Sequence, residues 1–327
     1  MTTDTTATLV REDLGFIAAR RLVDGPADLV LKLAPGDRPL VAPGESVVPG
    51  SPIAERLRDA HLGDASDTAV LHPAPGVRAP NGELLYDWRG RWRVASGEMT
   101  EPIETPIAGI VRSVRPGTSI VIQATGRSLP GIVALGGPTR GRLHVAAASD
   151  GEIRASGLDV GLAGTILVVG SRIDAETLTR ARAMGIRGIV VAGLASKERR
   201  DFLASETRQR AALHRLPSYA VLVLDGAFRR PLSSPMLAVL RALADREVAI
   251  SSDPPALLFD APDLELPPPP ADHVRIRGGD FAGSEGTWAG LIGQRRFAGG
   301  VHLEAGAVRL PDGSVVAVPI GDLERFV

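Results

Sequence analysis

Three uninterrupted apolar runs, at 165–170, 188–193 and 219–224, constrain this chain more than any other feature. A strand with one wet face alternates apolar and polar residues. A strand with no polar positions must be covered on both faces, as in a parallel sheet flanked by helices. The intervals between the runs have helical spacing. Ser171 or Asp174 suits a helix N-cap, Leu178, Ala181 and Met184 share a face, and Gly185 supplies a stop. A second helix is predicted from Ser196 through Phe202 and Leu203, and a third over 235–243, before a strand at 247–251. Strands alternating with helices predict an α/β domain, here placed at 151–255.

A chain of 327 residues is long for one core and predicts several domains. Hydrophobic residues make up 44% of it, yet no apolar run reaches the ~18–20 residues of a membrane span. Residues 1–6, Met-Thr-Thr-Asp-Thr-Thr, lack the basic flank and apolar core of a secretory signal, so a cytoplasmic protein is expected. With no cysteine, a disulfide framework and thiolate chemistry are excluded. The formal net charge is −1, and of 37 basic residues only Lys32 and Lys197 are lysines. The arginine preference fits either a GC-rich genome or phosphate recognition by planar guanidinium forks. Without a global basic excess, any nucleic-acid contact has to be local.

After an N-terminal extension (1–27), residues 28–150 read as short β segments punctuated by Pro and Gly. The stretch Ala42-Pro43-Gly44-Glu45-Ser46-Val47-Val48-Pro49-Gly50 is echoed by Thr105-Pro106-Ile107-Ala108-Gly109-Ile110-Val111. These two stretches resemble the half-motifs of a barrel-sandwich hybrid, the fold of lipoyl and biotinyl carriers. Carriers present a lysine at an exposed hairpin. Here only Lys32 is at hand, expected within or beside a strand, so no covalent lipoyl or biotinyl group is expected. Between the halves, Tyr86-Asp87-Trp88-Arg89-Gly90-Arg91-Trp92-Arg93 concentrates aromatics and arginines. Read as one alternating strand, it plugs a core with its aromatics, or offers Trp88 for stacking with Arg89 and Arg91 reaching phosphate.

A proline-rich linker is predicted at 256–271, with four consecutive prolines at 267–270. Beyond it, Val274-Arg275-Ile276-Arg277 runs into a glycine-flanked turn at Phe281. A second strand starts at Thr287-Trp288, and a hairpin on Asp312-Gly313 closes the segment. Residues 272–327 resemble a KOW motif, the SH3-like barrel of NusG-type transcription factors and several ribosomal proteins. That resemblance implies contact with RNA, ribosome or RNA polymerase. Arg275, Arg277, Arg295 and Arg296 would reach phosphate or an acidic surface, and Phe281 and Trp288 would form a stacking or packing surface.

The predicted fold class is therefore multidomain β plus α/β: a barrel-sandwich-like β domain, a parallel-sheet α/β domain and a C-terminal SH3-like barrel. The arrangement, through Ile166–Ala175 and Ala183–Val191, resembles multidomain proteins of thermophilic bacteria, which implies architecture alone. No Gly-x-Gly-x-x-Gly follows the first apolar strand and no phosphate-loop motif occurs, so no cofactor is expected. The six histidines lack ligand spacing and no metal is expected. No nucleophile motif is present. The leading expectation is a non-catalytic adaptor or nucleic-acid-associated protein. The alternative is an α/β domain that binds a small anionic metabolite at its strand ends, through Ser171, Arg172 and Ser196, as enzyme or sensor, with the barrels as docking modules.

Overall fold

The computed structural model describes residues 14–34, 36–59, 62–64, 77–78, 84–88, 91–95, 98–146, 148, 150–212, 218–266 and 268–327. Among these, the protein is a multidomain assembly of several β-sheets and a few helices. The chain divides into two compact units, Asp28–Thr125 and a second built from Met1–Ala27 with Gly126–Val327.

The smaller unit is all β. Strands β2 (Asp28–Lys32), β4 (Ser46–Val47), β11 (Gly109–Arg115) and β12 (Ser119–Ala124) form one sheet in the order β2-β12-β11-β4. Strands β3 (Arg38–Pro39), β5 (Pro52–Asp59) and β10 (Glu98–Glu104) form another. The two echoing stretches meet each other. Val47 pairs with Gly109, Gly44 N donates to Val111 O at 2.7 Å, and Gly50 N donates to Thr105 O at 2.8 Å. Lys32 is the last residue of β2, in register with Ser119. A third sheet contains β6 (Leu62–Asp64), β7 (Val77–Arg78), β8 (Leu84–Trp88) and β9 (Arg91–Ala95). Its register pairs Asp87 with Trp92 and Trp88 with Arg91. The chain therefore reverses between 88 and 91, and the single strand expected through this stretch is two. Arg89 lies outside the described residues.

The larger unit holds an eight-stranded mixed sheet. Its parallel centre is β15 (Thr139–Val145), β16 (Thr165–Val168), β17 (Gly188–Gly193) and β18 (Ala220–Gly226). Successive strand residues point into two different cores. Ile166, Val168, Val190, Leu222 and Leu224 pack with Met236, Val239 and Leu240 of helix α3 (Ser234–Ala242). Leu167, Val169, Ile189, Val191 and Val221 pack with Leu178 of α1 (Ala175–Ala183) and Phe202 of α2 (Ser196–Ala212). Coverage on both faces is why β16 and β17 are buried at every position and β18 through its first five residues.

The boundaries differ from those expected. β13 (Arg127–Pro130), β14 (Val133–Gly136) and β15 belong to this sheet and not to the β domain, which ends at Thr125 and not at 150. At the other end, β19 (Glu247–Ser252) pairs with β20 (Pro255–Phe259), and β20 with β13. The segment assigned to a linker from 256 thus begins as a sheet strand. Short Pro- and Gly-punctuated strands read alike whichever sheet they join.

The C-terminal sheet has six strands in the order β1-β25-β21-β22-β23-β24. Five come from the C-terminal region: β21 (His273–Ile276), β22 (Glu285–Arg296), β23 (His302–Arg309), β24 (Val315–Pro319) and β25 (Leu323–Phe326). The sixth, β1 (Ala18–Arg20), comes from the N-terminal extension and lies parallel to β25. Leu14 and Ile17 join Val274, Ile276, Trp288, Val308, Val318 and Leu323 in its core. Ala18–Arg20 are therefore a strand of this sheet, and Leu14 and Ile17 part of its core, rather than a free extension.

Candidate functional site

Ligands of parallel sheets bind beyond the carboxyl ends of the strands. In this protein those ends are partly closed by the C-terminal sheet. Asp225, near the end of β18, accepts from Arg20 Nη1 at 2.6 Å and from Arg275 Nη1 at 2.9 Å. Arg275 also donates to Pro231 O at 2.6 Å and lies 3.5 Å from Glu324. Arg20 adds a bond to Leu224 O at 2.6 Å. The side chains of Arg275 and Asp225 are 2% and 3% exposed. Arg275 was expected on the surface. It stands instead at an inward register position, because a buried carboxylate from β18 meets it there.

A second tie runs through Glu285 in β22. Its carboxylate accepts from Ser234 N at 2.8 Å and from Ser234 Oγ, at the start of α3, while Ser233 Oγ caps the same helix through Met236 N. Burial pushes the Glu285 carboxyl up, but the bonds from Ser234 and the His273 imidazole 3.8 Å away outweigh it and hold it below the usual carboxylate range. A depressed carboxylate adds stability above its unfolded pKa of about 4.3, lost as pH falls through the folded value. The Glu285→Gln variant should therefore be less stable than the parent at pH 6, with the gap closing near pH 3. Urea midpoints at the two pH values check this, and a gap that stays constant would remove Glu285 from the acid response.

Trp288 is the other correction. Of the stacking or packing surface expected of it, only packing agrees with its place: it is 3% exposed, in the core. Its ring lies against Gly306, where an added side-chain carbon would stand 2.0 Å from Trp288 Cζ3. Phe281 is 41% exposed on the turn before β22. The Arg277 side chain is 54% exposed and lies 4.0 Å from Glu324. Arg295 and Arg296 are exposed near the end of β22, and among the described residues neither forms an ion pair.

The expected anion site does not assemble. Ser171 Oγ donates to Asp150 O at 2.9 Å and is buried. Ser196 is exposed at the start of α2. Arg172 pairs with Glu152 at 2.9 Å and lines a groove of about 360 Å³ with Glu152, Arg154, Asp174 and Arg180. Neither serine lines that groove. The N-terminus of α1 is filled from within the chain: Ala175 N donates to Glu198 and Thr177 N to Asp174. An incoming anion there would face two carboxylates.

One cluster escaped the sequence reading. The loop after β18 carries Phe228, 71% exposed, followed by Arg229 and Arg230. The Arg230 guanidinium lies 5.8 Å from the Phe228 ring centroid, and Arg229 reaches Glu152 at 3.1 Å. An aromatic beside an arginine pair at a strand end was the available signal. No group of three or more metal-ligating side chains occurs among the described residues, and no helix among them is long and apolar enough to cross a membrane. Compared with family models, curated proteins and solved structures, the chain matches none.

Proposed function

We propose that this is a non-catalytic, nucleic-acid-associated protein that holds RNA, free or within the ribosome or a transcribing RNA polymerase. In this reading the six-stranded sheet is an SH3-like barrel of KOW type. The unit at 28–125 is a barrel-sandwich hybrid that acts as a spacer or docking module and carries no prosthetic group. The observation that carries the reading is the end of the β22–β23 hairpin. Core residues stop at Trp288 on one strand and Ala305 on the other, while pairing continues to Arg296 and His302. The last rungs, Gln294–Glu304, Arg295–Leu303 and Arg296–His302, are exposed on both strands. Two register shifts, beside Gly290 at φ 114° and Gly293 at φ 71°, mark where the ribbon leaves the sheet. Bulges of this kind re-aim a strand pair, and only glycine accepts such φ values without strain. A two-stranded ribbon tipped by two arginines suits contact with a phosphate backbone.

Each phosphate neutralised releases counterions, with a slope of about −0.7 per contact for single strands in a log–log plot of affinity against salt. The Arg295→Ala/Arg296→Ala double variant should bind labelled single-stranded RNA more weakly at 50 mM salt, and flatten that slope by about 1.4. Fluorescence anisotropy over a salt series measures both. RNA affinity absent at low salt in the parent, together with a lysate pull-down that yields no nuclease-sensitive partners, would reject the reading. The metabolite alternative gains nothing from the ends of β16 and β18, where helix N–H groups are already bonded to carboxylates of this chain.

A further inference from the structure

We propose that the loop after β18 is a second RNA contact, a platform that stacks one unpaired base on Phe228 and holds the adjoining phosphate at Arg229 and Arg172. This rests on the RNA reading above and extends it by naming single-stranded RNA as the ligand.

The loop is fixed in place. Phe228 O lies over Gly193 of β17, so closely that any side chain at 193 would come within 2.2 Å of it. On its other flank, a side chain at Gly283 would stand 3.2 Å from Pro231 Cδ and 3.6 Å from Arg230 Cβ. The loop is thus held between β17 and the turn that carries Phe281. Its backbone is anchored while the Phe228 ring is 71% exposed. Core burial does not account for a Phe this exposed, and one cation lies at its ring. Arg230 lies against the ring, and among the described residues it forms no ion pair. Arg229 and Arg172 converge on one carboxylate, Glu152, at 3.1 and 2.9 Å, with side chains 60% and 59% exposed. Two guanidinium groups sharing a single acceptor leave most of their donors open.

An open aromatic ring accepts any base by its π face, and an adjacent guanidinium adds cation–π attraction. Arg229, next to Phe228 in sequence, and Arg172, which shares its carboxylate, carry the guanidinium forks that suit a phosphate. In a duplex both faces of each base are already stacked, so the ring has nothing to receive. The chemistry therefore selects an unpaired strand.

The test uses the full chain and three probes: a labelled single-stranded uridine oligonucleotide, an RNA duplex of equal length, and uridine monophosphate. Stacking on an aromatic is lost on alanine substitution at a cost of about five- to hundredfold in affinity. Phe228→Ala should weaken the single strand by about tenfold or more, change duplex binding less than twofold, and leave the salt slope intact. Phe228→Trp should retain affinity. Arg229→Ala should lower the salt slope for the single strand. Phe228 is exposed, so an unchanged unfolding midpoint is expected for its variants. Salt-dependent RNA binding unaffected by Phe228→Ala would overturn the platform and leave the ribbon reading standing. Equal weakening of duplex and single strand would also overturn it, as would monophosphate binding as tight as the oligonucleotide. Absence of all RNA binding would remove both readings.

Discussion

The Asp225→Ala variant should be the most damaging single substitution considered, destabilising the larger unit by about 3–5 kcal/mol, the range for breaking a buried ion pair. Asp225 is the acceptor shared by Arg20 and Arg275, and its removal takes from each its shortest carboxylate contact. Arg275 suffers most: its side chain is 2% exposed, and its Nε has no partner among the described residues. Glu324, at 3.5 Å, and the carbonyl of Pro231 do not replace a carboxylate at 2.9 Å. A double change, Asp225→Leu with Arg275→Met, should recover much of the loss, because a buried pair replaced by apolar groups of similar size is often neutral. Urea unfolding of the three proteins measures this. A loss under 1 kcal/mol in Asp225→Ala would show that water reaches the cluster. The same series separates two roles for Arg275. A structural arginine alters the unfolding midpoint, whereas a phosphate contact alters the salt dependence of RNA binding.

Three strands of the parallel centre, β16, β17 and β18, were legible because burial on both faces leaves a direct trace in sequence. Ile166 and Leu167 enter opposite cores, so both have to be apolar. Helices α1 and α2 followed from their spacing, and α3 begins within a residue of its predicted start. The partners of β13, β14 and β15 left no such trace. A four-residue strand such as Arg127–Pro130 is specified by its neighbour Pro255–Phe259, which lies far along the chain. Arg275 was misread for a related reason. An alternating Val-Arg-Ile-Arg strand reads as apolar-in and arginine-out, but Val274, Arg275 and Ile276 are all buried. The inward arginine is stable only because Asp225 and Glu324, each about 50 residues away in sequence, lie beside it. The exposed part of the candidate interface was half visible. Arg295 and Arg296 were named from sequence, yet their placement on a projecting ribbon depends on where core contacts stop. Phe228 and its arginines follow a strand correctly placed in the sequence, but nothing local says that the ring faces water.

Deleting residues 1–22 should unfold the C-terminal sheet. The deletion removes β1, its parallel pairing with β25, two side chains of that sheet's core, Leu14 and Ile17 at 4% and 2% exposed, and Leu22, 4% exposed, from the adjoining core of the large sheet. At ~1.5–3 kcal/mol for each buried side chain of this size, the apolar loss alone rivals the ~5–15 kcal/mol that separates a folded domain from its unfolded chain. It also removes the Arg20 bonds to Asp225 and Leu224 O, and the backbone bonds by which Leu22 N meets Val327 O and Val327 N meets Arg20 O. The isolated segment 272–327 lacks the same strand, and it should not fold alone. Trp288 is its only tryptophan and is buried in the intact sheet, so the segment should emit at the red-shifted wavelength of a solvated indole. Protease attack within 260–272 of the full chain should then leave both pieces associated, held by β1 and by the Arg275–Asp225 pair. A 272–327 fragment that separates under native conditions and keeps a blue-shifted Trp288 would show that five strands suffice. The N-terminal strand would then be an accessory to the sheet and not a part of its core.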